Sequence, residues 1–249
     1  MLLGASAWAC GPLRLAYFNY PGLYERGPDG EERGFDVDTV RELASRTGCR
    51  FETQYLSVIK AWQAVESGEM DIVVSALQTT ERERLAEFAI MGNTAPLIMM
   101  QAAADGADLN PERFLDDPRL RLIVVRGASF GATTAAWVAR LRALKRVSEA
   151  GDMAAALRAF EAGRAQALIV YPTVLVGREP AWLARRTLYS WWPHDAAFGG
   201  WALSLKTVPA ADRQRIRSAM DSMLKDGSLL RLAERSMGAQ LARHWISSP

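Results

Sequence analysis

The stretch from Asp71 to Phe88, DIVVSALQTTERERLAEF, places an arginine where a strand meets a helix. Thr80 and Glu83 form an S/T-x-x-E capping box, which predicts a helix beginning near Glu81 with Arg82 in its first turn. Backbone N–H groups are free at that position and the helix dipole is positive there. A guanidinium fork beside such a terminus suits a carboxylate, which it can hold through two parallel charge-assisted hydrogen bonds. Glu81, Glu83 and Glu87 supply the alternative, in which Arg82 only pairs along a solvated helix face.

A second constellation, Gly127-Ala128-Ser129-Phe130-Gly131, fits the G-x-S-x-G pattern of a hydrolase nucleophile elbow and lies between a predicted strand and helix. His194 or His244 with Asp152 or Asp195 could complete a triad in the order Ser, Asp, His. Against it, no HGGG-like segment supplies an oxyanion hole, and small residues at strand–helix turns are common without catalysis. Two histidines far apart and two cysteines without CxxC spacing make no ligand set, so no metal is expected. Neither G-x-G-x-x-G nor G-x-x-x-x-G-K-[ST] occurs, and no cofactor is expected.

The elements that must position these residues follow from periodicity. Ile72, Val73 and Val74 form a short β-branched run suited to a strand covered on both faces. Before it come a strand over 13–18, a turn-rich loop over 20–33, a helix capped by Asp36 and ended by Gly48, a strand over 51–56 and a helix over 61–67. Residues 96–103 are apolar and extended, and 106–118 are rich in turn formers, so the chain leaves a first lobe there. A second set follows: strands over 120–125, 167–171 and 201–205, and helices over 133–144, 153–162, 209–227 and 229–237, the last capped by Ser228. Alternating strands and helices in two sets predict an α/β fold with a cleft between lobes.

Composition bounds the partners. With 249 residues, 49% of them hydrophobic, the chain can bury a large core, and its 30 basic and 28 acidic residues are mixed along it. A net charge of +2 leaves no electrostatic footprint for nucleic acid or an anionic membrane. No run past the N-terminus approaches the length of a membrane-spanning helix. Residues 1–9 (MLLGASAWA) read as a signal-peptide remnant ending in the small-x-small pattern Ala7-Trp8-Ala9, although a positive leading region is missing. Cys10 also stands where a lipoprotein box would place it, which Ala7 and Trp8 match poorly. If the strands after Cys10 and Cys49 are parallel neighbours, both cysteines lie at one sheet edge, where a disulfide could close in an oxidising compartment. Spacing alone leaves two reduced thiols open.

Taken together, these residues resemble a known family, the periplasmic solute-binding proteins of the amino-acid ABC-transporter type (extracellular solute-binding protein family 3). The likeness runs through 13–18, Gly34-Phe35-Asp36-Val37-Asp38, Ser67-Gly68-Glu69-Met70-Asp71, and Thr79-Thr80-Glu81-Arg82 followed by Phe88. In the second half it is weaker, resting on 122–129 and on Gly163-Arg164-Ala165-Gln166-Ala167. The resemblance implies a two-lobed type II periplasmic-binding-protein-like fold with a hinge and a central ligand cleft. Lobe 1 would comprise 10–98 plus 199–249 and lobe 2 would comprise 99–198.

The implied function is extracytoplasmic capture of a small carboxylate-bearing ligand, an amino acid or related organic acid, by a monomeric, non-enzymatic protein. It would serve an ABC-transporter permease or, alternatively, a membrane sensor; a dehydratase-like offshoot is the enzymatic alternative. The resemblance assigns the ligand carboxylate to Arg82 and points to Arg126 and Ser129 in the turn after the second lobe's first strand. It offers Tyr20, Tyr24 and Trp62 as aromatic walls. The residue five before the arginine, commonly a ligand-binding hydroxyl, is Leu77; Ser75 is the hydroxyl retained as a contact. Where the family places an acid for an α-amino group stands Tyr171, which cannot carry the negative charge at neutral pH. That departure suggests a carboxylate without the amine, or a modified or aromatic amino acid.

Overall fold

The computed structural model describes residues 10–101 and 109–246. The expected signal remnant at 1–9 lies outside them, as do parts of the 96–103 and 106–118 segments.

The first half opens with β1 (Cys10–Tyr17), a small hairpin of β2 (Glu25–Arg26) and β3 (Glu32–Arg33), and α1 (Phe35–Thr47). Then come β4 (Cys49–Tyr55), α2 (Val58–Ser67), β5 (Ile72–Leu77), a single turn α3 (Thr80–Glu83) and β6 (Ala86–Thr94). β7 (Leu97–Gln101), α4 (Pro111–Asp116), β8 (Leu122–Val125), α5 (Ala132–Ala143), β9 (Val147–Ala150), α6 (Met153–Glu161) and β10 (Ala167–Val170) follow. A 3-10 turn at Pro172–Leu175, α7 (Pro180–Leu183) and β11 (Arg186–Tyr189) complete this middle section. The chain ends in β12 (Ala197–Ser204), α8 (Ala210–Lys225), α9 (Ser228–Met237) and α10 (Ala239–Trp245).

Two five-stranded sheets result. The first has the order β4-β1-β5-β12-β6 and the second β11-β7-β10-β8-β9. β1, β4 and β5 are parallel, as βαβ crossovers require, whereas β12 runs antiparallel to both β5 and β6. The chain therefore crosses between the sheets twice, from Thr94 to Leu97 and from Tyr189 to Ala197. α1, α8 and α9 pack on one another behind the first sheet, burying Val37, Val40, Leu43, Ile216, Met220 and Leu232.

Cys10 and Cys49 are register partners on β1 and β4 and are joined by a disulfide, with Cα atoms 4.5 Å apart. At the start of β5, the Asp71 carboxylate accepts from the Arg14 backbone N–H and guanidinium at 2.6–2.9 Å, fixing β5 against β1. Ile72, Val73 and Val74 are fully buried on a strand flanked by β1 and β12, which accounts for their unbroken apolar run.

Several expected details change. The helix predicted from Glu81 is one turn long, and its N-cap is Thr79, whose hydroxyl accepts from the Arg82 N–H at 3.3 Å, so the Thr80–Glu83 capping box is not formed. Ala86 onward is strand β6, because it pairs along its length with β12. Asp36 is not a cap; Gly34 precedes the helix and Asp36 turns inward from its first turn. Gly227, not Ser228, stands before α9. The double tryptophan, by contrast, is lobe packing as its place beside the returning strand suggests: half-buried, Trp191 packs edge-on and Trp192 tilted against Trp137 at the second lobe's core.

Candidate functional site

β5 delivers the site. Its last residues turn into the loop at Gln78–Thr79, α3 begins, and Arg82 swings back under the strand end, leaving the residue 8% exposed. Its Nη1 donates to the Leu77 carbonyl at 2.9 Å, and its Nη2 reaches across to the Gly127 carbonyl on the second lobe at 3.1 Å. The guanidinium carbon lies 4.5 Å from the Trp62 ring centroid, a cation–π stack that fixes the plane of the fork. None of the glutamates proposed as its surface partners neutralises it. Glu87 is bonded to Arg213 and Arg217 on α8, Glu83 accepts from Gln78, and Glu81 is exposed. Burial pulls the Arg82 pKa down to about 10, so the group stays charged at neutral pH while lacking a paired carboxylate among the described residues.

Around it, facing surfaces of the two lobes enclose a cleft of about 1000 Å³, part of it open to solvent. Tyr20, Trp62, Ser75, Arg82, Ser129 and Tyr171 all line it. The lobes meet directly within it, where the Tyr171 backbone N–H donates to the Tyr20 hydroxyl oxygen at 2.6 Å; within the second lobe the Tyr171 hydroxyl donates to the Ser129 carbonyl at 2.9 Å. At its margin the half-exposed Tyr55 donates to Asp152 at 3.4 Å. Burial raises the phenol pKa of both Tyr20 and Tyr171, which keeps them neutral. Gly127 has φ of +80°, and a Cβ there would meet Ile59 on α2 at 2.9 Å, so glycine permits the lobes to approach this closely.

Two expected contacts are not brought into the cleft. Tyr24 is buried in the first lobe, stacked on Tyr17 with ring centroids 4.5 Å apart, and its hydroxyl donates to Glu32. Arg126 is exposed and pairs with Glu149 at 3.3 Å, because the chain leaving β8 points its side chain along β9.

Leu77, at the position where a hydroxyl was sought, is a wall residue, and three others were not singled out in the sequence: Phe18, Phe130 and Ile169. Phe18 follows β1 and Phe130 follows Ser129 in the turn already considered; an apolar residue at a strand end is the one signal they carried.

Beneath the floor lies Asp36. It is fully buried, accepts from the Ser75 hydroxyl at 2.6 Å through one oxygen, and has no partner for the other. Ser75 itself is held at φ +46°, a left-handed conformation unusual for a residue with a Cβ. Burial pushes the Asp36 pKa up to about 7, the Ser75 hydrogen bond opposing that rise.

The hydrolase arrangement is not assembled. Asp152 caps α6 by accepting from Ala155 N–H at 2.7 Å, Asp195 accepts from the Thr133 and Thr134 N–H groups at the start of α5, and His194 and His244 are exposed. Among the described residues no cluster of histidine, cysteine and acidic side chains could hold a metal.

Comparisons with known proteins agree with this architecture. The family model for bacterial extracellular solute-binding proteins, family 3, matches residues 16–239. The structure of a solute receptor for L-cysteine of Neisseria gonorrhoeae superposes with a TM-score of 0.77 at 19% identity, covering 95% of this chain and 96% of that one. An ABC uptake transporter substrate-binding protein from Streptococcus pneumoniae with bound histidine gives 0.75 at 15% identity, over 91% and 92% of the two chains. An ancestral amino-acid-binding protein, described as a precursor of cyclohexadienyl dehydratase, gives 0.70 at 21% identity, over 90% and 94%. No curated protein sequence matches the chain.

Proposed function

Because the chain belongs to family 3 of the bacterial extracellular solute-binding proteins, we propose that it captures a small carboxylate-bearing solute in the cleft between its lobes and presents it to a membrane partner. The observation that carries this reading is Arg82: a cleft-lining guanidinium, almost wholly buried, stacked on Trp62 and, among the described residues, spending its bonds on two backbone carbonyls. A buried cation without a counter-ion is costly, and a carboxylate entering the cleft supplies one through charge-assisted bonds. Trp62, Tyr20, Ser75, Ser129 and Tyr171 form the rest of the contact set, and the segments at Thr94–Leu97 and Tyr189–Ala197 are the hinges about which the first lobe moves against the second, a residue or two from the expected boundaries at 98/99 and 198/199. Closure around ligand then shifts an open–closed equilibrium that a permease, or a membrane sensor, reads. Membership of an extracellular family and the Cys10–Cys49 disulfide both support an oxidising, extracytoplasmic setting for a monomeric protein.

The test is a thermal-shift screen of amino acids and small carboxylates at millimolar concentration, run on wild type and Arg82→Gln together. A ligand at a hundredfold excess over its dissociation constant stabilises the folded state by about 2.7 kcal/mol. A stabilising carboxylate whose effect vanishes in the variant supports the proposal; equal stabilisation of both proteins refutes the role given to Arg82.

A further inference from the structure

The charges that surround Arg82 limit what can accompany a carboxylate in this cleft. In an α-amino acid the ammonium is bonded to the carbon that bears the carboxylate, so a protein that gives both charges a counter-ion must place an acid close to the guanidinium. The titratable groups that act on Arg82 are Tyr171 and Glu81, and the acid beneath the floor, Asp36, is enclosed behind Ser75 and does not line the cleft. Glu81 is exposed and does not line the cleft, so the neighbour on the ligand's side is a phenol kept neutral by burial. The acid that acts on Tyr171 is Asp195, and its two oxygens are held by the Thr133 and Thr134 N–H groups. Asp152 does line the cleft, but one oxygen is committed to the start of α6, the other takes the Tyr55 hydroxyl at 3.4 Å, and it is not among the groups that act on Arg82.

The free polar hydrogens point the same way. Tyr20 accepts the Tyr171 N–H through its oxygen, and its own hydroxyl proton has no acceptor among the described residues. It is a spare donor in the cleft that the spare donors of Arg82 also line. Ser75 has spent its proton on Asp36. Between these groups the walls are apolar, with Phe18, Trp62, Leu77, Phe130 and Ile169 facing the space.

Resting on the carboxylate-binding role above, we propose that the ligand is a monocarboxylate with an apolar body and no α-ammonium, an aryl- or branched-alkyl-alkanoate held by Arg82 and the Tyr20 hydroxyl. Burying an ammonium beside Tyr171 leaves a charge without a counter-ion, which should cost a factor of about ten or more in affinity. The apolar body is the part that Trp62 and Phe130 reward.

Isothermal titration of the whole protein with matched pairs tests this: 3-phenylpropanoate against L-phenylalanine, and 4-methylpentanoate against L-leucine, with L-arginine alongside. The amine-free member of at least one pair should bind, and its amino-acid counterpart should bind at least about tenfold more weakly. Tyr171→Asp, checked for folding by circular dichroism, should bring that gap close to nothing by supplying the missing charge; the wild-type comparison stands whether or not this variant folds. L-phenylalanine, L-leucine or L-arginine binding as tightly as the amine-free acids overturns the inference, and leaves the carboxylate role intact if Arg82→Gln abolishes that binding. Absence of Arg82-dependent binding by every probe, amine-bearing or not, removes the role and the inference with it.

Discussion

Asp36→Asn is the substitution whose effect can be worked furthest from the structure. The Asp36 carboxyl is fully enclosed, and burial lifts its pKa from 3.8 to about 7. An acid whose pKa rises on folding holds its proton more tightly in the native state; its stabilising contribution is complete below the unfolded pKa and is lost as pH climbs through the folded one. At 1.36 kcal/mol per pH unit, carrying the charge above pH 7 costs the native state about 4 kcal/mol, of which between 1 and 2 kcal/mol is already incurred at pH 5. Wild type should therefore lose about 3 kcal/mol of stability from pH 5 to pH 8 through this group. The asparagine side chain keeps an acceptor for Ser75 but does not titrate, and its amide N–H₂ faces the position where one carboxyl oxygen is unpartnered, a pH-independent cost of about 1–3 kcal/mol. Urea unfolding followed by tryptophan fluorescence at pH 5, 6, 7 and 8 gives the difference between the two proteins directly. Every other titrating group is common to both proteins and cancels. The gap should shift by about 3 kcal/mol in favour of the variant as pH rises; two parallel curves would refute the reasoning that Asp36 is a buried, largely uncompensated acid.

Other perturbations have simpler arithmetic. Reducing the Cys10–Cys49 bridge, which closes a sequence separation of 39 residues, should lower stability by about 4 kcal/mol on the loop-entropy estimate, read from denaturant midpoints with and without reductant; no change would mean that the reduced chain keeps those strands paired when unfolded. Gly127→Ala places a Cβ against Ile59 and demands φ of +80° from alanine, so it should weaken ligand binding about tenfold or more while the backbone strain lowers the melting temperature by a few degrees, measured by titration and calorimetry. Gly92→Ala drives a Cβ into the carbonyl of Trp245, where Gly92 bridges Ile246, and should cost more than about 3 kcal/mol by detaching α10 from β6; an unchanged unfolding midpoint would contradict that packing.

The sequence carried Arg82 because its signal is local: a β-branched run, a threonine and an arginine within one turn. It also offered the cysteine pairing, on the condition that β1 and β4 are neighbours, since parallel neighbours in a βαβ unit put equivalent residues side by side. What it hid was settled by partners far along the chain. Residues 86–94 become a strand because β12, more than a hundred residues later, hydrogen-bonds along them, and nothing in LAEFAIMGNT compels this by itself. Asp36 has the residue type and place of a helix cap, and only tertiary packing against Ser75 turns it inward. Tyr24 and Arg126 sit close in sequence to cleft residues, but Tyr24 stacks on Tyr17 and Arg126 follows Glu149 on the neighbouring strand. Side-chain direction at a turn depends on such contacts rather than on spacing.

The place of β12 in the first sheet also sets an order of assembly. It lies between β5 and β6, yet it is made after the whole of the second sheet. A polypeptide emerges from the ribosome N-terminus first, and folding units close as their parts become available. Every strand of the second sheet has been synthesised once Tyr189 has emerged, whereas the first then still lacks an inner, antiparallel member, leaving the facing edges of β5 and β6 without a ladder. The half of the molecule begun first is thus finished last, and a nascent chain halted before Ala197 would carry one complete lobe joined to one that cannot close.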